Sequence, residues 1–380
     1  MTLLATQLPK DLYEVHVCTL TRGGPLEQPL RADAIPIHSI GKTWKFDPAA
    51  YWRLRALLRR LRPRLVHTWI FAANSYGRQA ALGAGVPHVV AGERCVDRWK
   101  VWHELAIDRR LARRTDRIVT NSGGVVDFYA QHGIPKSKFE VIPNAIEDRE
   151  ARSPISRQQA FQRMGLPDGT RLIGAIGRLW PQKNYRDLIW AAELLKVIRA
   201  DTHLVIIGDG PQRAILERWR RHIEITDRVH FLGHRADVPD LLPHFDCFWL
   251  ASAYEGQSNA LMEAMLAEVP VVVSDIPGNR DLVTNGQTGY LFPVGNRAAI
   301  ARLTHQLLDD PDTTRRITQA ARQRMRTEFT VKKMVDRHIT LYQKILHSEE
   351  HLDETVHVVG RHEDHQGEQQ SNADQRQGDL

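Results

Sequence analysis

Two short runs carry residue types that could do chemistry together. The first, Gly177-Arg178-Leu179-Trp180-Pro181-Gln182-Lys183-Asn184, follows LIGAIG, an apolar run that reads as a strand. A guanidinium and an ammonium five residues apart, on a loop beyond a strand's carboxyl end, suit a diphosphate. A helix follows, with Asn184 placed to cap it, and its N-terminus adds a positive end. The second run is Glu255-Gly256-Gln257-Ser258-Asn259-Ala260-Leu261-Met262-Glu263, after the strand-like CFWLAS. Gly256 permits close backbone approach, and Ser258 or Asn259 can cap a helix starting near Ala260. Glu255 then stays in the loop and Glu263 falls on the helix's first turns. The loop's amides could hold phosphate oxygens, whereas the two carboxylates suit paired sugar hydroxyls. Phosphates and hydroxyls together describe a nucleotide sugar. Taken singly, each run also reads as an ordinary solvated loop or a chance spacing of glutamates.

Two further turns are less specific. Gly208-Asp209-Gly210-Pro211 is a strand-to-helix turn, and His230-Phe231-Leu232-Gly233 offers backbone groups to a nucleobase edge. Neither matches GxGxxG, and GxxxxGK[ST] is absent, so nicotinamide-cofactor and P-loop readings lose their main support.

These runs must be positioned by elements, and from Arg171 the elements alternate regularly. LIGAIG, HLVIIG, VHFLG, CFWLAS, PVVVSD and YLF read as strands, with helices over 185–198 and 211–223 between the first of them. Apolar runs separated by helices of about 12 residues demand a parallel sheet covered on both faces, which binds ligands at its strands' carboxyl ends. The first half is noisier: YEVHVCTL, RLVHTWI, PHVVAGE, DRIVTNS and FEVIPN read as strands after a helix-like start over 2–8. A change of texture over 147–169 reads as a linker and short helix. The expected fold class is α/β, two Rossmann-like doubly wound domains facing across a cleft. The bounds are 1–150, 151–330, a helix over 331–347 that packs back on the first domain, and an acidic disordered tail over 348–380.

Composition narrows the class. The chain has 380 residues with 42% hydrophobic and 26% charged, a core-forming balance. No apolar run approaches the roughly 18 residues of a membrane span. A secretory signal is not expected, and three scattered cysteines (Cys18, Cys95, Cys247) fit a reducing cytoplasm rather than a disulfide or zinc framework. The tail holds nine acids and two bases, a balance of −7, so the net +7 conceals +14 on the body. That surplus suits phosphate-bearing partners. The four histidines of the tail lack HExxH spacing.

GRLWPQKN, HLVIIGDGP, VHFLGHRADV, EGQSNALMEAM, VPVVVSDIPGNRDLV and NGQTGYLFPVGN occur in that order. The set resembles the nucleotide-sugar domain of the retaining GT-B glycosyltransferases of family 4 (group 1 type), most strongly over 165–310, and Glu255 through Glu263 is similar to that family's E-x7-E signature. The resemblance implies that Arg178 and Lys183 hold the diphosphate and that Glu255 serves the sugar hydroxyls; these three form the expected catalytic set. Glu263 takes the ribose, and Gly177, Gly208, Leu232, Gly233, Gly256, Gln257, Ser258 and Asn259 complete the donor site. It also implies a UDP- or GDP-sugar co-substrate, no cofactor, no metal site, and retention of configuration by front-face attack.

The first half resembles the acceptor domain through RLVHTWIFAANSYGRQAALGAGVPHVV, DRIVTNS and VIPNAIE. Two departures stand out. The family's opening strand and Gly-Gly loop have no counterpart before Thr2, which fits an unusual edge or a start inside the natural reading frame. Glu93 and Arg94 stand where many members carry histidine. Arg94 and His67 are cleft candidates, with a structural role for His67 equally open.

The stretch 52–64 places Leu54, Leu57, Leu58 and Leu61 on one helical stripe with arginines around it. It reads as a surface helix or as a docking element for anionic lipid; no nucleic-acid motif accompanies the charge. The expected activity is transfer of a hexose-type sugar to a glycan or lipid-linked acceptor in cell-envelope polysaccharide or glycolipid synthesis. The expected place is the cytoplasm, peripheral on the inner face of the cell membrane. A nucleotide-sugar epimerase, or a donor-binding but inactive protein, are the alternatives.

Overall fold

The computed structural model describes residues 1–148 and 155–347, so the expected acidic tail lies outside the described residues. In the first half, β1 (Val17–Thr19) and β2 (Ile37–Ser39) pair in parallel, with Val17 opposite Ile37. β3 (Leu65–Trp69), β4 (His88–Glu93), β5 (Arg117–Thr120) and β6 (Phe139–Val141) form a second parallel sheet in chain order. Among the described residues no ladder joins the two sheets. The strand β2 was not among those read from sequence, because its three residues follow Pro36 and make no continuous β-branched run. Every position of β4 is buried, as a strand covered on both faces requires.

On one face of this sheet, Leu54, Leu57 and Leu58 of the Pro48–Leu61 helix pack with Ala80 and Ala81 of the Phe71–Ala84 helix. On the other, Leu341 and Ile345 of the C-terminal Val331–His347 helix meet Val90, Val119 and Ile142. That helix also takes Leu4 and Leu8 of the N-terminal segment against Val335 and Tyr342.

The second half is one parallel sheet of six strands in the order β12-β11-β10-β7-β8-β9. These are β7 (Arg171–Ile176), β8 (Thr202–Ile207), β9 (Val229–Gly233), β10 (Cys247–Leu250), β11 (Val271–Ser274) and β12 (Tyr290–Phe292). Ile173, Ala175, Leu204 and Ile206 face one layer of helices, and Leu172, Val205 and Ile207 face the other. That alternation is the period-two geometry of a strand. Residues Leu204 to Ile207 are at most 2% exposed, and each such burial is worth about 1.5–3 kcal/mol.

The Tyr185–Ile198 helix has its expected bounds and buries Leu188, Ile189, Ala192 and Leu195. The next helix runs Arg213–His222, two residues later than expected, because Pro211 and Gln212 complete the turn after β8. Ser156 and Gln159 form a capping box on the Arg157–Met164 helix, whose Phe161 and Met164 enter the second half's core. All the loops that matter below leave the carboxyl ends of these parallel strands.

Candidate functional site

Three glycines end adjacent strands of the second half. Gly177 N–H donates to Ile207 O at 3.0 Å, and Gly208 N–H to Gly233 O at 2.8 Å. A side chain on Gly208 would begin 2.0 Å from Gly177 O, and one on Gly210 would begin 2.7 Å from Leu179 O. The turns after β7 and β8 therefore touch backbone to backbone, and glycine is what lets them. Leu232 is partly buried against the core beside this edge.

The first expected constellation divides. Residues Pro181–Lys183 make one 3-10 turn, and Ala253 N–H donates to Gln182 O at 2.8 Å, drawing the turn after β7 to the loop after β10. Lys183 Nζ then lies 2.5 Å from Glu255 Oε1, with side chains 14% and 8% exposed. Ser252 Oγ donates to the same carboxylate oxygen. Arg178 stays outside that pair: it is exposed and stands over the Trp180 ring at 5.5 Å. Asn184 does not cap the following helix. It adopts a left-handed φ of 52° and turns its amide to the Asp187 carboxylate, which also accepts from Arg297 Nε at 2.6 Å. The helix N-terminus is thereby left without a side-chain cap.

The second constellation is held from the other half of the molecule. Its helix starts at Asn259, next to the expected Ala260, and Ser258 sits at the N-cap without a side-chain bond to the backbone. Asn144, just beyond β6, donates its backbone N–H to Gln257 Oε1 at 2.7 Å. The Asn144 Nδ2 donates to Gln257 O at 3.2 Å and to Asn259 Oδ1 at 2.8 Å. Its Oδ1 accepts from Arg94. The Asn121 amide lies within 3.1–3.2 Å of Gln257 N, Arg94 O and Asn144 Oδ1. Gly256 fits only because it has no side chain: a Cβ would stand 2.3 Å from Arg94 O. Gly124, at the start of the Gly123–Gln131 helix, meets Pro277 in the same way. The side chains of Gln257 and Asn259 are thus engaged in a latch between the halves.

Glu263 reaches solvent, yet enough protein surrounds it that desolvation raises its carboxyl above the ordinary value. The two cleft candidates part company. Burial lowers Arg94 to about 10, its NH1 is buried without a partner, and its guanidinium stands 5.4 Å from the Trp69 ring centroid. His67 instead pairs Nδ1 with Tyr342 Oη at 2.7 Å and stacks on Trp69 at 4.3 Å. Burial holds its imidazole well below the usual range, so it is neutral and serves the seam with the C-terminal helix.

A buried ionic network fixes the loop carrying Arg94. Lys100 Nζ meets Asp108 at 2.8 Å, Asp97 at 3.1 Å and Glu93 at 3.6 Å. Arg78 pairs with Asp108 at 2.7 Å, and Asn74 donates to Glu93 at 2.8 Å. Burial raises Glu93, whereas Lys100 is raised because its three carboxylates outweigh desolvation. Sequence reading missed Asn144, Asn121 and Ser252. The signals are polar residues at the carboxyl ends of strand-like runs: Asn121 in DRIVTNS, Asn144 in VIPNAIE and Ser252 in CFWLAS.

The arginines of the 52–64 stretch are partly engaged. Arg53 donates to the Ile40 and Gly41 carbonyls and Arg55 to Gly83 O, whereas Arg59 and Arg60 are exposed.

Residues 156–324 match the family described as glycosyl transferases group 1, and residues 1–150 match glycosyltransferase family 4. A 2-deoxystreptamine glucosyltransferase of Streptomyces kanamyceticus is 29% identical over 72% of this chain and 74% of its own length. The Escherichia coli UDP-Gal:alpha-D-GlcNAc-diphosphoundecaprenol alpha-1,3-galactosyltransferase is 27% identical over 88% of this chain and 90% of its own. The Anabaena Alr3699/HepE structure in complex with UDP-glucose superposes with a TM-score of 0.79 at 22% identity. That alignment covers 90% of this chain and 95% of that one.

Proposed function

We propose a role whose premise is membership: the chain belongs to the group 1 glycosyltransferases of family 4, with the GT-B fold, and catalyses sugar transfer. The finer reading is a metal-independent, retaining hexosyltransferase. It takes a UDP-hexose and delivers the sugar to a lipid-linked or glycan acceptor of the cell envelope. The observation that carries the donor assignment is the Lys183–Glu255 contact at the head of the glycine-lined turns.

That contact suggests an exchange on binding. A diphosphate competes for the Lys183 ammonium, and the released Glu255 carboxylate accepts from sugar hydroxyls. Arg178, exposed on the same loop, closes on the diphosphate, and the uncapped Tyr185–Ile198 helix presents free N–H groups to it. Glu263 accepts from the ribose hydroxyls. In the step itself the bond from sugar C1 to the diphosphate oxygen breaks with its electron pair going to the nucleotide. The acceptor oxygen bonds to C1 from the same face, and its proton passes to the departing phosphate. The cations and helix dipole stabilise the charge that develops there. The halves drawn together by Asn144 keep water from the reacting sugar.

The relatives reported above are named as transferases, which disfavours the epimerase alternative. We place the protein in the cytoplasm, peripheral on the inner face of the membrane. No helix among the described residues is long and apolar enough to cross a membrane. Calorimetric titration with UDP and GDP, followed by a screen of their hexoses with released nucleotide as the readout, tests the reading. Lys183→Ala and Glu263→Ala should each weaken nucleotide binding; unchanged affinity in both overturns the donor site. Donor binding without transfer to any envelope acceptor favours the inactive alternative. Anomeric NMR of the product and activity in chelator test retention and metal independence.

A further inference from the structure

We propose that the loops over 42–46, 70–71 and 98–103 form one surface that seats aromatic side chains in the interface of an anionic lipid bilayer. The inference rests on the reading of a lipid-linked acceptor and names the surface that would bring the cleft to it. Trp44, Phe46 and Trp102 are 74%, 85% and 79% exposed, with Ile70 at 66%, Trp99 at 53% and Val101 at 48%. Apolar groups clustered in this way on a folded chain mark a contact surface.

Contacts between the three loops bring them together. Lys45 Nζ lies 4.0 Å from Glu104 Oε1, which brings the 42–46 loop to the first turn of the Trp102–Ala112 helix. The Phe71 and Trp99 rings meet edge to face at 5.4 Å. Lys100 Nζ stands 4.8 Å from the first and 6.0 Å from the second, tying the loop after β3 to the loop after β4. Tyr76 Oη accepts from Asp47 N–H at 2.8 Å and donates to Lys45 O at 3.2 Å, so the first loop is held in place. Arg98 stands 5.3 Å from the Tyr254 ring, one residue before Glu255, so the surface borders the donor site.

Charge decides the occupant. The acids of these loops point inward: the side chains of Asp47, Asp97 and Glu104 are 9%, 14% and 10% exposed. Asp47 caps the Pro48–Leu61 helix, Asp97 pairs with Lys100, and Glu104 accepts from Val101 N–H at 2.8 Å. Two cations point outward, with the Lys45 side chain 84% exposed and Arg98 exposed, while Lys100 is turned inward to its carboxylates. Tryptophans flanked by cations, with carboxylates withdrawn, complement anionic headgroups above an acyl boundary. A ring platform for a glycan would hold its rings half-buried; three of these stand almost clear of the protein.

The experiment is co-sedimentation of the full chain with phosphatidylcholine vesicles and with mixed phosphatidylcholine–phosphatidylglycerol vesicles, read also by tryptophan emission. Preferential binding to the mixed vesicles with a shift of emission to shorter wavelength is expected. The Trp44→Ser/Phe46→Ser/Trp102→Ser variant should lose about tenfold or more in partitioning, with UDP affinity and melting temperature unchanged. Equal binding by that variant, or no binding of the parent chain to mixed vesicles, overturns the proposal. So does a variant that only turns a dimer into a monomer in light scattering. Loss of binding in Arg59→Ser/Arg60→Ser with the aromatic variant unaffected assigns docking to the Pro48–Leu61 helix and equally overturns it. Nucleotide binding is measured without vesicles, so failure here leaves the donor-site reading standing, and failure there is seen separately.

Discussion

Replacing Asn144 by alanine removes the side chain through which the first half grips the 255–259 loop, the proposed donor loop. Lost are donations to Gln257 O at 3.2 Å and Asn259 Oδ1 at 2.8 Å, the acceptor for the Arg94 guanidinium, and the contact with Asn121 at 3.2 Å. The backbone bond from Asn144 N–H to Gln257 Oε1 survives. A neutral hydrogen bond contributes about 0.5–1.5 kcal/mol net and one to a charged group about 1.5–3 kcal/mol. Water entering the opened seam recovers part of the sum, leaving about 2–4 kcal/mol against the closed arrangement. At about 1.4 kcal/mol per decade, the ratio of closed to open molecules falls by roughly 30-fold to several hundred-fold. On the proposed reading, in which closure assembles the site, the loss should appear in kcat/KM for transfer. Melting should move little, since each half keeps its own core. The assay is steady-state transfer with calorimetric UDP binding and a thermal melt on the same preparation. A variant whose kcat/KM stays within a factor of about three of the parent would refute the latch.

Two further outcomes follow from buried charge. Lys100→Ala leaves Glu93, Asp97 and Asp108 facing one another around a lost cation, and urea unfolding should show a loss of about 3–5 kcal/mol; a change below about 1 kcal/mol contradicts the network's ionic character. His230 and His338 are both lowered to about 4, first by burial, against an ordinary 6.5. The unfolded chain therefore takes up protons first, so the stability they contribute is present above about pH 6.5 and is lost as pH falls towards 4. For His338 the effect is of order 2–3 kcal/mol, and His338→Gln should flatten the fall of the urea midpoint over that window; identical slopes in both proteins count against it.

Much of the second half was legible because a strand buried on both faces must be apolar along its length. LIGAIG and HLVIIG announce such strands, and the leucine and isoleucine spacing of 185–198 announces the helix between them. The first half was harder to read, because β1 and β2 have three residues each and gain their definition from pairing. The sequence alone also placed Arg178, Lys183 and Glu255 on two loops after two strands, and Glu263 on the helix that follows the second.

What it left undetermined was which of them meet. Only the β10-β7 pairing and the bond from Ala253 to Gln182 bring Lys183 onto Glu255 while Arg178 stays in solvent. Asn184 has the residue type of a cap, yet the nearby Asp187 carboxylate takes its amide instead. Asn144 lies 113 residues from Gln257, and His67 lies 275 from Tyr342, separations at which no local pattern constrains a pair. Local spacing determines strands, helices and the chemical type of a loop, because those depend on neighbours in the chain. Which loop faces which, and which polar atom is left for a ligand, is decided by packing between distant elements, where competition among partners settles each side chain's role.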